Sequence, residues 1–134
     1  MPLSPNQAFR IGSLTKQFTA TAILLLVKDG KLTLDTPAHT ILPELPAYAR
    51  AITIRHLLTH TSGLPDLESA FGYGVYRETP GDAEFLARLV ALPIDFAPGE
   101  RWSYSNTNYW LLARVIEQVS GLGYGEFMQR KLFL

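Results

Sequence analysis

Gly12-Ser13-Leu14-Thr15-Lys16, followed by the apolar run Gln17 to Lys28, is the stretch on which the reading of this chain turns. A hydroxyl and an amine three residues apart at the mouth of a helix share one face and can touch. A helix start also aims free backbone N–H groups, and the positive end of the helix dipole, at the Ser13 side chain. These conditions suit a serine that must become an alkoxide and then carry an acyl group. Serine is equally a favoured N-cap, so the pair alone also admits a purely structural reading. In the helix that follows, Phe18, Ala20 and the run Ala22 to Val27 leave hardly any polar face, which predicts burial by neighbours on several sides. Asp29-Gly30 ends it, with Gly30 suited to the left-handed position after the last turn.

Upstream, Ala8 to Ile11 alternates apolar and polar and predicts a short strand feeding the turn at Gly12. Downstream, Thr53 is placed to cap a short helix carrying Ile54, Leu57 and Leu58. Leu67 to Pro80 has no steady period and reads as a loop, with Asp66 before it as a turn or cap residue. Asp82 is expected to cap a helix reaching about Ala91. Tyr104-Ser105-Asn106 then stands before a long helix, Thr107 to Ser120, that Gly121 and Gly123 stop. Tyr124 to Leu132 reads as a last amphipathic turn or two. Trp102, Tyr109 and Trp110, at a loop-to-helix junction, are expected in the core.

The 134 residues amount to one domain or part of one, and 47% hydrophobic against 18% charged residues means a globular chain. Twelve basic and twelve acidic residues cancel without long runs of either sign, which points away from a nucleic-acid or membrane-surface partner. Cysteine is absent, which excludes disulfides, thiolate metal sites and a cysteine nucleophile. Ala22 to Val27 is too short an apolar run to span a bilayer. The first residues lack the blocks of a signal peptide, so the chain as written is expected to be soluble and not exported; its compartment is left open. His56 and His60 have the four-residue spacing of two helical metal ligands, but no Glu lies between them and no third ligand is evident. They read as structural groups hydrogen-bonded to backbone, and no metal or other cofactor is expected.

The second chemical element is Tyr104-Ser105-Asn106. A phenol has a pKa of about 10, too high for a base at neutral pH unless a cation favours the phenolate. Lys16 could be that cation. The set is then coherent: Ser13 attacks, Tyr104 or Lys16 takes its proton, and Asn106 orients an amide or carboxyl group of the substrate.

Here the chain resembles the serine β-lactamase and penicillin-binding protein superfamily, and within it the class C β-lactamase, D-alanyl-D-alanine carboxypeptidase and esterase branch. Four strings carry the resemblance: Phe9 to Lys16, Asp29 to Asp35, Ile54 to Leu64 with its His-Leu-Leu-Thr-His-Thr-Ser-Gly-Leu core, and Pro98 to Asn106. It implies acyl transfer through a covalent Ser13 intermediate, on β-lactams, D-alanyl peptides or esters. It assigns Ser13 as nucleophile, Lys16 and Tyr104 as the proton-transfer pair and Asn106 as a substrate contact. The Ser13 N–H would be one oxyanion-hole donor, and Tyr73 and Tyr76 would lie in a wall of the substrate pocket. The superfamily's third motif, a Lys-Thr-Gly or His-x-Gly triplet on a strand, does not occur between Asn106 and Leu134.

Residues 1–134 are therefore expected to be a single partial domain: a mostly α-helical fragment, the helical half of the α/β serine β-lactamase-like fold, with most of the antiparallel sheet absent. Two function classes follow. One is a serine hydrolase, with little turnover expected from this chain alone because losing one oxyanion donor costs about two to three orders of magnitude in rate. The other is a catalytically inactive helical module with a structural or interaction role. With the sheet gone, one side of the Phe18 to Val27 helix is expected to be poorly covered, giving self-association or a loosely packed monomer.

Overall fold

A computed structural model describes residues 4–72, 74 and 81–133. Its α-helices are α1 (Thr15–Lys28), α2 (Ile54–Leu58), α3 (Leu67–Phe71), α4 (Asp82–Val90), α5 (Asn106–Ser120) and α6 (Tyr124–Met128). Short 3-10 turns precede α1 and occupy the connector at Ala38–Thr40 and Ala47–Ala51, and a π-helical turn, Gln129–Phe133, follows α6. The two long helices are those the apolar patterning marks. Helix α5 is the hub: α1, α2, α3 and α6 all pack on it. Its buried positions Leu111, Leu112, Val115 and Ile116 join Ala22, Ile23 and Leu26 of α1, with Ile54, Leu57 and Leu67, in one apolar cluster. At about 1.5–3 kcal/mol per fully buried aliphatic side chain, this shared core outweighs any helix's own propensity.

The helix ends follow local chemistry. Past Lys28, Gly30 takes φ 67°, and the N–H groups of Gly30 and Lys31 close on the carbonyls of Val27 and Leu26 at 3.0 and 2.9 Å. That is a Schellman closure, as the Asp29-Gly30 pair predicts. Thr53 caps α2 in a reciprocal box: its Oγ1 accepts the His56 N–H at 3.3 Å, while His56 Nδ1 accepts the Thr53 N–H at 3.2 Å.

Four expectations change. No strand occurs among the described residues, and Ala8 to Ile11 is irregular because no neighbouring strand is there to share a ladder. Helix α1 is not buried all round: Thr19, Ala22, Ile23 and Leu26 form a single stripe, while Leu24 is 51% exposed. Asp82 does not cap α4; Gly81 holds that position, and the Asp82 carboxylate reaches Arg114 of α5 at 2.8 Å. The stretch read as loop from Leu67 begins with a helical turn, α3, which Leu67 anchors by full burial. Among the described residues, no helix is long and apolar enough to cross a membrane.

One close approach fixes how the chain after α2 meets the segment leading to α5. Gly63 sits at φ 77°, and a Cβ there would lie 1.9 Å from the carbonyl oxygen of Phe96. The backbones are also tied directly, Gly63 O accepting from Asp95 N and Thr61 O from Gly99 N, both at 2.8 Å. Gly63→Ala therefore forces a left-handed alanine and a backbone clash together. We expect urea unfolding to report a loss of about 2–5 kcal/mol, and an unchanged midpoint would contradict the contact.

Candidate active site

The N-terminal ends of α1 and α5 meet. Ser13 lies in the 3-10 turn Gly12–Leu14 that leads into α1, and its side chain caps nothing. Its Oγ instead stands 2.8 Å from Tyr104 Oη, and Lys16 Nζ donates to it at 3.3 Å. Lys16, the second residue of α1, also donates to Asn106 Oδ1 at 2.7 Å, across the junction with the first residue of α5. The phenol of Tyr104 donates to the same Oδ1 at 3.1 Å. The Lys16 ammonium lies 4.9 Å from the centre of the Tyr104 ring and 5.5 Å from that of Tyr109, within cation–π range. Thus Ser13, Lys16, Tyr104 and Asn106, the residues singled out in the sequence, form one contiguous cluster. Two positive helix ends and a lysine bear on it, an environment that favours negative charge.

The hydrogen bonds have a consistent direction. Lys16 only donates, and an amide oxygen only accepts. With the Tyr104 hydrogen directed to Asn106 Oδ1, the Ser13 hydroxyl hydrogen is left to point at the Tyr104 oxygen. The order is then Lys16 to Ser13 to Tyr104 to Asn106.

Several residues that hold this cluster were not assigned to the site from sequence. Asp66 Oδ1 accepts the backbone N–H of Asn106 at 2.9 Å, capping α5 from another segment where Ser105 makes no side-chain cap of its own. Glu68 Oε2 accepts from Asn106 Nδ2 at 3.1 Å, which fixes the amide so that its oxygen faces Lys16. Thr107 Oγ1 donates to the Pro65 carbonyl at 2.8 Å and accepts the Leu67 N–H at 3.2 Å, locking α3 against α5. Buried Ser62 donates to Asn108 Oδ1 at 2.6 Å. His60 Nδ1 accepts from the Ser105 N–H at 3.2 Å and faces Asn108 Nδ2 at 3.3 Å. Burial and the nearby Lys16 charge lower the pKa of His60. Burial, and to a lesser extent Tyr104, raise that of Tyr109.

Both histidines engage backbone N–H groups, the structural role expected of them. Tyr109 and Trp110 pack against the core as expected, but Trp102 does not: it is 66% exposed and meets His60 edge-on. Trp102 stays largely exposed because it belongs to the irregular segment before α5, whose inward contacts among the described residues are made by Phe96 and Ser105. Tyr73 and Tyr76 lie outside the described residues.

Known proteins agree with this architecture. The family model described as Beta-lactamase matches residues 1–134. Penicillin-binding protein 4* of Bacillus subtilis is 40% identical over 136 residues, covering 99% of this chain and 30% of its own length. Esterase EstB of Burkholderia gladioli is 38% identical, covering 90% of this chain and 34% of its own. Among solved structures, the D-amino acid amidase from Ochrobactrum anthropi SV3 superposes with a TM-score of 0.86 at 34% identity, over 99% of this chain and 40% of that one. These matches define a class, the serine hydrolases of β-lactamase-like fold, of which the described residues form a helical part. The chain belongs to the beta-lactamase family, in the superfamily of serine β-lactamases and penicillin-binding proteins. It spans about a third of the length of the curated relatives it matches.

The cap supplied by Asp66 can be tested without turnover. Asp66→Ala leaves the Asn106 N–H without its acceptor, and we expect a loss of about 0.5–2 kcal/mol in urea unfolding. Asp66→Asn keeps an acceptor and is expected to recover most of it. Equal destabilisation by both would count against the cap.

Proposed function

We propose that this chain carries the nucleophile and proton-transfer half of a serine hydrolase that works through a Ser13 acyl-enzyme. The observation that carries the reading is the position of Ser13 Oγ, within hydrogen-bond reach of both Tyr104 and Lys16. Ser13 Oγ attacks the substrate carbonyl carbon as its proton passes to Tyr104 in its phenolate form, beside the Lys16 ammonium, and Tyr104 becomes the neutral phenol. The proton then goes to the leaving nitrogen or oxygen, leaving an ester on Ser13 that water hydrolyses by the reverse route. The Ser13 N–H faces the developing oxyanion as one of its donors. Asn106 holds Lys16 through Oδ1, and its second Nδ2 hydrogen is available to a substrate carbonyl.

The substrates this reading takes in are β-lactams, D-alanyl peptides and small esters or amides. The names of the penicillin-binding, esterase and amidase relatives support that range. Placement in the class C, carboxypeptidase and esterase branch is part of the same proposal. Intact mass after exposure to a fluorophosphonate, and separately to a penicillin, tests it. We expect an adduct on the parent chain and none on Ser13→Ala, with Tyr104→Phe slowing labelling by about 10²- to 10⁴-fold. No adduct on the parent would favour the other class, an inactive helical module with a structural or interaction role.

Self-association is the second part of the proposal. Leu14 and Phe133 are 61% and 53% exposed, and Ile11, Phe18, Met128 and Phe133 line an open apolar groove beside α1. Surfaces of this kind are commonly covered in stable assemblies. Sedimentation over a range of concentrations is expected to show dimers or larger species. A sharply melting monomer that binds no hydrophobic dye would contradict it.

A further inference from the structure

His60 is the one described non-glycine residue with positive φ, at 57°. Such a backbone is disfavoured for a residue with a Cβ and persists where surrounding contacts over-determine it. Those contacts converge on Tyr104. The His60 carbonyl accepts the Ser103 N–H at 2.9 Å, and its Nδ1 accepts the Ser105 N–H at 3.2 Å. The two backbone amides flanking Tyr104 on the C- and N-terminal sides are thus both tied to one residue. The imidazole also lies against the Tyr104 ring, centroids 4.7 Å apart and tilted by 32°, with Tyr109 at 5.2 Å. On the remaining side Asn108, held by Ser62, turns its Nδ2 toward Nδ1 at 3.3 Å.

This geometry dictates a protonation state. A backbone N–H can only donate, so Nδ1 must be bare, and in the neutral ring the hydrogen is on Nε2. We propose that His60 is the positioning residue for Tyr104: as a neutral imidazole it suspends the Ser103 to Ser105 backbone and seats the phenol against Ser13 Oγ, and a proton on Nδ1 releases it. The inference rests on the reading of Tyr104 as proton acceptor for Ser13, but the positioning itself is observable without turnover.

The charged and titratable groups around the ring are Lys16 from α1, Asp66 from the turn before α3, Tyr104 before α5 and Tyr109 in α5. Burial and Lys16 disfavour the imidazolium, and Asp66 opposes them; the net direction is downward from the ordinary histidine value. A group depressed on folding contributes stability that is present in full above its unfolded pKa of about 6.5. That stability is lost as pH falls from there through the folded value.

Imidazole ¹⁵N, Ser105 amide and Tyr104 ring resonances of the labelled chain, followed between about pH 4 and 8, test the proposal. We expect the Nε2–H tautomer, a midpoint below that of an ordinary histidine, and the Ser105 amide and Tyr104 ring moving at that same midpoint. His60→Asn keeps a side-chain acceptor and tolerates the left-handed backbone; His60→Leu keeps bulk and removes the acceptor. His60→Leu is expected to speed exchange of the Ser105 amide, and to slow fluorophosphonate labelling of Ser13, by about tenfold or more; His60→Asn should stay within about threefold of the parent. A hydrogen on Nδ1, or a Tyr104 ring indifferent to the His60 titration, would overturn the proposal, as would a Ser105 amide equally protected in His60→Leu. Should His60→Leu not fold, the parent titration decides. Should Ser13 resist labelling altogether, the hydrolase reading fails while the resonances still report on His60.

Discussion

Lys16 Nζ and Asn106 Oδ1 meet at 2.7 Å where the N-terminal ends of the two longest helices come together. Everything chemical in the molecule depends on that junction. Ser13 enters α1 and Tyr104 precedes α5, so their 2.8 Å contact exists only if the helices hold one another in register. The apolar stripe of α1, buried against Leu111, Leu112, Val115 and Ile116, supplies the energy. The polar contacts at the helix ends supply the geometry, since each is worth only about 1 kcal/mol net but is costly to leave unmade in a partly buried place.

The supports of that junction come from the chain between the two helices. Asp66, Glu68, Ser62 and His60 all lie between α2 and the end of α3, and all reach the first residues of α5 or the backbone just before them. The tight Gly63 crossing against Phe96 brings this segment close enough to do so. A helix that begins with Asn106 exposes donors that its own N-cap does not satisfy, and a carboxylate forty residues away satisfies one of them. The site is therefore built less by the reactive residues than by the short, irregular elements packed behind them.

Sequence made part of this legible. Ser13 and Lys16 are three residues apart on a helix, so their contact follows from helical geometry alone. The left-handed glycine at Gly30 and the Thr53 cap are likewise local, and both were readable; the reciprocal bond from His56 to the Thr53 N–H was not. The link from Ser13 to Tyr104, 91 residues away, was readable only as a chemical possibility supported by resemblance. The one-sided burial of α1 was not legible, because an apolar run with no polar face carries no signal of which side faces in. His60 was legible only as a structural group hydrogen-bonded to backbone: its positive φ and the identity of its partners, Ser103 and Ser105, come from long-range contacts. Glu68 was hidden in a stretch without period, whose first turn is helical only because Leu67 is buried against the core.

The central claim is that α1 and α5 form one cooperative unit that assembles the cluster. Native-state hydrogen exchange of the whole chain tests it most directly. The account predicts that the amides of Ile23 and Leu26 in α1 open with the same free energy as those of Leu111, Leu112, Val115 and Ile116 in α5, the highest in the molecule. Exchange of the α1 amides near the unprotected rate, with α5 still protected, would contradict it. The reactive residues would then be juxtaposed only transiently, and the site would not be a property of the folded chain.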